Sequence, residues 1–273
     1  MLYRIRKQVT ILFIVGVFLI FVGTVIYYAF LKPGPTCYDR IRNQDEEEID
    51  CGGLSCISCE IKTLKQIEII WAEAIPVAPN LYDLAAKIKN PNPNFGTSYV
   101  KYEFELKNQS GQSIGIKSGS TFILPNSSKY IIENNIENQS QIVSVELRID
   151  TGDPLTWEKL KDYQAPELYI KDKKFETPGQ GEYYAQASGV VKNGTNFGFD
   201  TVDINIILFD SNSEPIGAAK SKINTLTAAE DRYFSIRWFY PISSQVKSFD
   251  IQAETNLFFD DNYMQIYGVP KEQ

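Results

Sequence analysis

A chain of 273 residues with 27 Lys+Arg, 34 Asp+Glu and no histidine lacks the commonest general base, the commonest zinc ligand and every Ser-His or Cys-His nucleophile pair. Its net charge of −7 repels nucleic acid, whose binding rests on phosphate neutralisation. No G-x-x-x-x-G-K-S/T or G-x-G-x-x-G string is present to cradle phosphates, and the many carboxylates, although glycosidases work with a pair of them, single out no pair.

From Val9 to Leu31 the chain runs 23 residues without a charge, where roughly 20 apolar residues cross a bilayer's hydrocarbon core. Arg4, Arg6 and Lys7 precede this stretch and no acidic residue does. The positive-inside bias therefore predicts a cytoplasmic tail at 1–8, a transmembrane helix at 9–31, and a C-terminal part outside the plasma membrane. A cleavable signal peptide is the competing reading. Its apolar region would run about 7–15 residues and end in small residues, whereas this one runs on into Tyr27, Tyr28 and Phe30. Removing the three N-terminal basic residues leaves 24 Lys+Arg against 34 Asp+Glu, so the outer part carries −10.

All four cysteines, Cys37, Cys51, Cys56 and Cys59, fall in the expected stalk at 32–62. Outside a membrane they are expected to form two disulfides, with three connectivities open. A four-cysteine zinc knot would need reduced thiolates, and a redox C-x-x-C would need a βαβ setting. Asp39, Asn43, Glu46 and Asp50 place hard oxygen ligands in one loop, so calcium is chemically open beside the simpler reading of a solvated acidic loop. The spacing of Cys37, Asp39, Asn43, Glu46, Asp50, Cys51, Gly52 and Gly53 resembles a short motif of secreted bacterial proteins, C-x-D-G-x-x-N-x-x-E-x-x-x-D-C-G-G, with Arg40 at its first glycine. That resemblance implies a surface-exposed, disulfide-closed module.

Beyond the cysteines the chain repeats itself. "KNPNPNFGTSYVKYEFELKNQSGQSIG" (89–115) lies over "KNGTNFGFDTVDINIILFDSNSEPIG" (192–217) with one gap. Val100, Tyr102, Phe104 and Leu106 alternate with Lys101, Glu103 and Glu105, as Val202, Ile204, Ile206 and Leu208 alternate with Asp203 and Asn205. Period two marks half-buried strands, and Asn, Ser, Gly and Pro close the hairpins. About seven short strands per copy predict an all-β protein: two tandem immunoglobulin-like antiparallel β-sandwiches behind one N-terminal transmembrane helix. The boundaries expected are 63–152 and 167–268, with a linker at 153–166 holding a short helix from Pro154 to Tyr163 and Trp157 as a packing residue.

The stretch "AAKIKNPNPNFG" with "VKYEFELKNQSGQSIG" resembles the water-stress and hypersensitive-response class of late-embryogenesis-abundant domains. "ASGVVKNGTNFGFDTVDINIILFDSNSEPIG" is similar to the FxLYD-type domain, with Asn193-Gly194-Thr195 in place of Asn-Pro-Asn and "LFD" in place of "LYD". The resemblance implies a seven-stranded sandwich and no catalytic residues. The functional expectation is a non-catalytic binding or scaffolding protein of the cell envelope with no cofactor, meeting a protein or envelope-polymer partner. A purely structural spacer and a carboxylate-based glycan hydrolase are the alternatives. In "RWFYPI" (237–242), Trp238 and Tyr240 would share one strand face opposite Phe239, either as an exposed aromatic patch or with both faces buried at a strand end or under the linker. Asn108, Asn126, Asn138 and Asn193 begin N-x-S/T strings.

Overall fold

The computed structural model describes residues 2–28, 36–150, 157–160, 163–178, 182–259 and 263–264. Met1–Lys62 and Thr63–Gln273 form two compact units.

In the first unit, helix α1 (Leu2–Ile26) continues the apolar stretch N-terminally through Arg4, Arg6 and Lys7. Its apolar side chains face outward, Leu12 at 71% and Phe13 at 72% exposure. With a mean hydropathy of 2.9 over Gln8–Ile26 it is long and apolar enough to cross a membrane. A membrane anchor and a signal sequence both meet that test, and 29–31 lie outside the described residues. A second, four-residue helix α2 (Cys59–Lys62) ends the unit.

The second unit is built of antiparallel strands: β1 (Glu68–Ala78), β2 (Leu81–Lys89), β3 (Phe95–Lys107), β4 (Ser113–Ile123), β5 (Ser128–Glu137), β6 (Ser144–Ile149), β7 (Glu158–Lys159), β8 (Leu168–Glu176), β9 (Ala185–Asn193), β10 (Gly198–Phe209), β11 (Pro215–Leu226), β12 (Asp231–Trp238), β13 (Ser248–Glu254) and β14 (Tyr263–Met264). They make four sheets, in the orders β1-β2-β5, β4-β3-β6, β8-β9-β12 and β11-β10-β13. The first two orders repeat in the last two. The short strands β7 and β14 add to the starts of β3 and β10 in turn.

Alternation sets which side chains meet. Tyr82, Leu84, Ala86 and Ile88 of β2 share one core with Val100, Tyr102, Phe104 and Leu106 of β3. Ala185, Ala187 and Val191 of β9 share another with Val202, Ile204, Ile206 and Leu208 of β10. Each fully buried aliphatic side chain contributes about 1.5–3 kcal/mol. Asn90 and Asn193, both 0% exposed, hold corresponding corners. Asn90 Nδ2 donates to the carbonyls of Phe95 (2.7 Å) and Leu124 (2.9 Å). Asn193 Nδ2 donates to those of Phe197 (2.7 Å) and Thr227 (3.0 Å). A buried carbonyl left without its donor costs about 1–3 kcal/mol, which explains why Lys-Asn recurs at this corner. It also leaves the Asn193 amide buried and committed, although it begins an N-x-T string.

The expected helix in the connecting segment is corrected where it is described. Glu158 and Lys159 are extended and pair with Gly96 and Phe95, because open N–H and C=O groups at the start of β3 offer them sheet partners. Trp157 beside them is buried. Residues 154–156 and 161–162 lie outside the described residues.

A third apolar cluster joins the halves. Ile75, Ala85, Tyr130 and Ile132, on the face of β1-β2-β5 turned away from its own core, pack with Ile207 and Ala218 of β10 and β11. Polar contacts surround it. Tyr130 N–H donates to Gln252 Oε1 (3.0 Å) and Tyr130 O–H to Asp250 Oδ2 (2.8 Å). Lys220 Nζ donates to the Ile132 carbonyl (2.8 Å). Lys129 and Glu254 form a buried ion pair across the junction, and Lys129 Nζ lies 3.7 Å from the Phe122 ring centre. Burial drives the Glu254 carboxyl above the ordinary range while Lys129 draws it down.

The halves should therefore unfold together, in a single urea transition followed by tryptophan fluorescence. Lys129→Ala, which strands Glu254 as a buried charge, should lower stability by about 3–5 kcal/mol, and Lys129→Met with Glu254→Met should recover most of it. Two separate transitions, or a Lys129→Ala variant as stable as the parent, would contradict the fused junction.

Candidate functional site

Two clefts flank the junction. The larger, about 410 Å³, is lined by Tyr102, Tyr130, Asp203, Lys220 and Lys222 among others. Its functional groups are satisfied within the protein. Tyr102 O–H donates to Glu133 (2.6 Å), Tyr130 O–H to Asp250, and Lys222 pairs with Asp203 at 3.5 Å. Burial, aided by the neighbouring carboxylates, pushes both tyrosine hydroxyls well above their ordinary range.

The smaller cleft, about 240 Å³, combines Asp83 and Asn134 of the first half with Lys220, Arg237, Trp238 and Tyr240 of the second. Two of its groups are unusual for their burial, a carboxyl without a cation and an indole N–H without an acceptor. Asp83 is 5% exposed, accepts the Asn135 N–H (2.9 Å) and a bond from the Asn134 side chain, and has no cation partner among the described residues. Burial pushes its carboxyl above the ordinary carboxylate range. Trp238 Nε1 is buried without an acceptor among the described residues. Buried polar groups are nearly always hydrogen-bonded, so an exception needs an explanation.

Trp238 departs from the exposed-patch reading. It is 8% exposed, whereas Phe239 is 62% and Tyr240 43% exposed. Strand β12 ends at Trp238, so alternation does not carry through to Tyr240. Phe234, Ile236 and Trp238 share the core face, where Trp238 meets Phe175 edge-to-face at 6.4 Å. The pair still lines one cleft, with Trp238 forming its buried wall and Tyr240 its rim.

In the cysteine-rich unit the bridges are Cys37–Cys56 and Cys51–Cys59, and no cysteine is free. The first closes a 19-residue separation, for which loop entropy gives about 3 kcal/mol of stabilisation. With the sulfurs oxidised, no thiolate remains for zinc or redox work. The four oxygen-bearing candidates lie together; the carboxylates of Asp39, Glu46 and Asp50 hold the loop's own N–H groups, whereas Asn43 Oδ1 is buried without a donor among the described residues. Asp39 accepts from the Ile41 N–H (2.8 Å) and from Asn43 Nδ2 (2.8 Å), Asp50 from the Arg40 N–H (2.8 Å), and Glu46 from the N–H groups of Asn43 (3.1 Å) and Asp50 (3.3 Å). The Asn43 bond holds the Asp39 carboxyl below its ordinary range. Arg40 has φ 61°, the left-handed conformation that explains the glycine of the resembled motif. Gly52 and Gly53 have φ 81° and 72°, and a Cβ on Gly53 would stand 2.2 Å from the Asp45 carbonyl oxygen.

Asp83 was missed in the sequence because it sits inside "LYDLAAKIK" as one polar residue of an alternating strand. The available signal was the run itself. Leu84, Ala85 and Ala86 in succession mean that both faces of β2 are covered, and a carboxylate in such a strand must be buried.

Charge on Asp83 should oppose folding. A carboxyl with a raised folded pKa contributes stability present below its unfolded pKa, about 3.9, and lost as pH rises through the folded value. The stability of Asp83→Asn relative to the parent should therefore increase between about pH 3 and pH 7. Urea unfolding of both proteins across that range tests it, and a relative stability that falls with pH would show Asp83 to be favourably paired.

No family model matches the chain, and no curated protein matches it. Among solved structures, red sea bream transglutaminase aligns with 69% of the chain at 13% identity and a TM-score of 0.23, and the chain spans 28% of that protein's length. A likeness at this level carries no inference about activity.

Proposed function

We propose that this chain is a membrane-anchored, extracytoplasmic, non-catalytic binding protein of the cell envelope. Its β-rich unit is read as two tandem immunoglobulin-like sandwiches of the late-embryogenesis-abundant and FxLYD kind, at 63–152 and 167–268, joined through 153–166. The repeated sheet order and the matching roles of Asn90 and Asn193 support that reading. The basic residues Arg4, Arg6 and Lys7 in the first turns of α1 favour an inward N-terminus, and the two disulfides favour an oxidising compartment for the residues beyond α1.

The smaller junction cleft carries the functional reading. Asp83 is its one carboxylate among the described residues, whereas the usual glycoside hydrolases act through two carboxyl groups flanking the scissile bond. One carboxyl, the Arg237 guanidinium and the exposed rings of Phe239 and Tyr240 give a surface suited to binding, with no second carboxyl for catalysis. Fixing the halves through an apolar junction keeps that surface preorganised, which lowers the ordering penalty of binding.

Protease added to intact cells should remove Thr63–Gln273, whereas its survival beside a digested surface marker would reverse the orientation. Purified protein should turn over no glycan substrate. Hydrolysis lost on Asp83→Asn with folding intact would replace binding by catalysis.

A further inference from the structure

Of the four N-x-S/T strings, two stand where a modifying enzyme can reach them. Such an enzyme has to approach both the asparagine carboxamide and the hydroxyl two residues on, so the whole string must lie in a surface loop. Asn193 fails that condition at its amide, which is 0% exposed with Nδ2 donating to two carbonyls. Asn126 fails it at the other end of the string, since Ser128 begins β5 and pairs with Lys89.

Asn108 and Asn138 meet it. Asn108 sits in the turn between β3 and β4, where its Oδ1 accepts the N–H groups of Ser110 (2.9 Å) and Gln112 (3.0 Å). Asn138 follows β5, and its Oδ1 accepts the Ser140 N–H (3.0 Å). In each the side-chain oxygen shapes the loop and the nitrogen is left over. Among the described residues Asn108 Nδ2 reaches the Gln112 side chain alone, at 3.3 Å, and Asn138 Nδ2 has no acceptor. Ser110 and Ser140 are both exposed.

The second half shows that the turn does not need the nitrogen. Asp210 occupies the place of Asn108, and its Oδ1 accepts the N–H groups of Asn212 (2.8 Å) and Glu214 (2.9 Å). A carboxylate closes that turn as a carboxamide does, yet it offers no N–H for a sugar to replace. Both loops lie at the same end of the first half. There the Lys107 carbonyl accepts the Val143 N–H (2.9 Å), tying the Asn108 turn to the loop that follows Asn138.

We propose that Asn108 and Asn138 are N-glycosylation sites, each taking an oligosaccharide from a donor that carries it on a lipid diphosphate. In the transfer, Nδ2 forms a bond to C1 of the first sugar and gives up one proton to the transferring enzyme. The C1–O bond to the diphosphate breaks, and the lipid diphosphate leaves with the electron pair. This rests on the extracytoplasmic placement proposed above, since both loops must lie on the side of the membrane where the sugar is transferred.

Full-length protein purified from its own membranes is digested with trypsin, which puts the four strings on separate peptides, 108–117, 118–129, 130–148 and 193–220. Mass spectrometry should find a glycan on 108–117 and on 130–148, and none on the other two. Asn108→Asp, which the Asp210 turn shows to be compatible with the fold, should remove the glycan from that turn alone. Ser110→Ala should remove it with Asn108 still in place, and Ser110→Thr should keep it. Peptides 108–117 and 130–148 recovered bare, a glycan confined to 193–220, or a mass on Asn108 that survives Ser110→Ala would overturn the assignment. Bare peptides from a protein that protease removes from intact cells would defeat the glycan assignment alone, whereas bare peptides from a protein that survives protease would defeat the placement with it.

Discussion

Where Ile75, Ala85, Tyr130 and Ile132 cover Ile207 and Ala218, two sheets lose the water from their second faces, and the form of the whole β unit depends on that contact. A sheet needs one apolar face for its own core, and a second apolar face must be covered or it exposes a sticky patch. Covering it brings buried polar groups along. The Lys129–Glu254 pair is an isolated charge pair whose desolvation is repaid only while both partners are present. Such a pair is a weak source of net stability and a strong source of register, because any slip of the halves would strand one charge.

The contact joins two unlike faces of halves that share one strand order, and an arrangement of that kind can in principle propagate. Register shows how the two outer faces differ from the joined ones. Ile207 pairs with Ala218 as Glu105 pairs with Ile116, so the first half carries a carboxylate where the second carries an isoleucine. Arg148 bonds Glu105 at 2.6 Å, and Lys107 pairs with Glu146, leaving this outer face laced with ion pairs. At the other end, Ser188 and Ser235 stand where Ala85 and Ile132 stand at the junction. Both outer faces carry polar groups at these positions, beside exposed rings and aliphatics such as Tyr233 and Ile116.

The strands were legible because period two survives wherever one face is wet. Val100 to Leu106 alternate in sequence as they do in burial, and the duplicated "NFG" and "IG" strings locate the same corners twice. The junction was harder to see. Its residues occur as apolar insertions within strands that already read as strands, and no local pattern says which other sheet will cover them. Trp238 takes the buried of its two readings, keeping the core face with Phe234 and Ile236, whereas Tyr240 lies past the end of β12, where alternation no longer assigns a face. The helix expected near Pro154 failed at Glu158 and Lys159 because sheet pairing with the start of β3 outweighed weak local preference. In the cysteine-rich unit the carboxylate spacing was readable, but whether those oxygens would face a cation or the chain's own N–H groups depends on backbone turns at Arg40 and Asp50, φ 61° and 57°, which spacing alone does not determine.

The smaller cleft depends on the halves having diverged. Were they identical at these positions, Gln186 and Arg237 would be matched by a glutamine and an arginine at 83 and 134, the same neutral amide bonded to the same cation. In their places the first half has Asp83 and Asn134, and the junction draws them to the end of β12, where the second half supplies Arg237, Trp238 and Tyr240. A buried carboxylate beside an amide is less favourable for folding than the amide and cation it stands in for. The counterpart position in the second half carries the neutral Gln186, so the strand itself does not require a carboxyl at 83. The apolar junction offsets the cost of burying that carboxyl, so the contact that joins the halves also sets Asp83 against the end of β12.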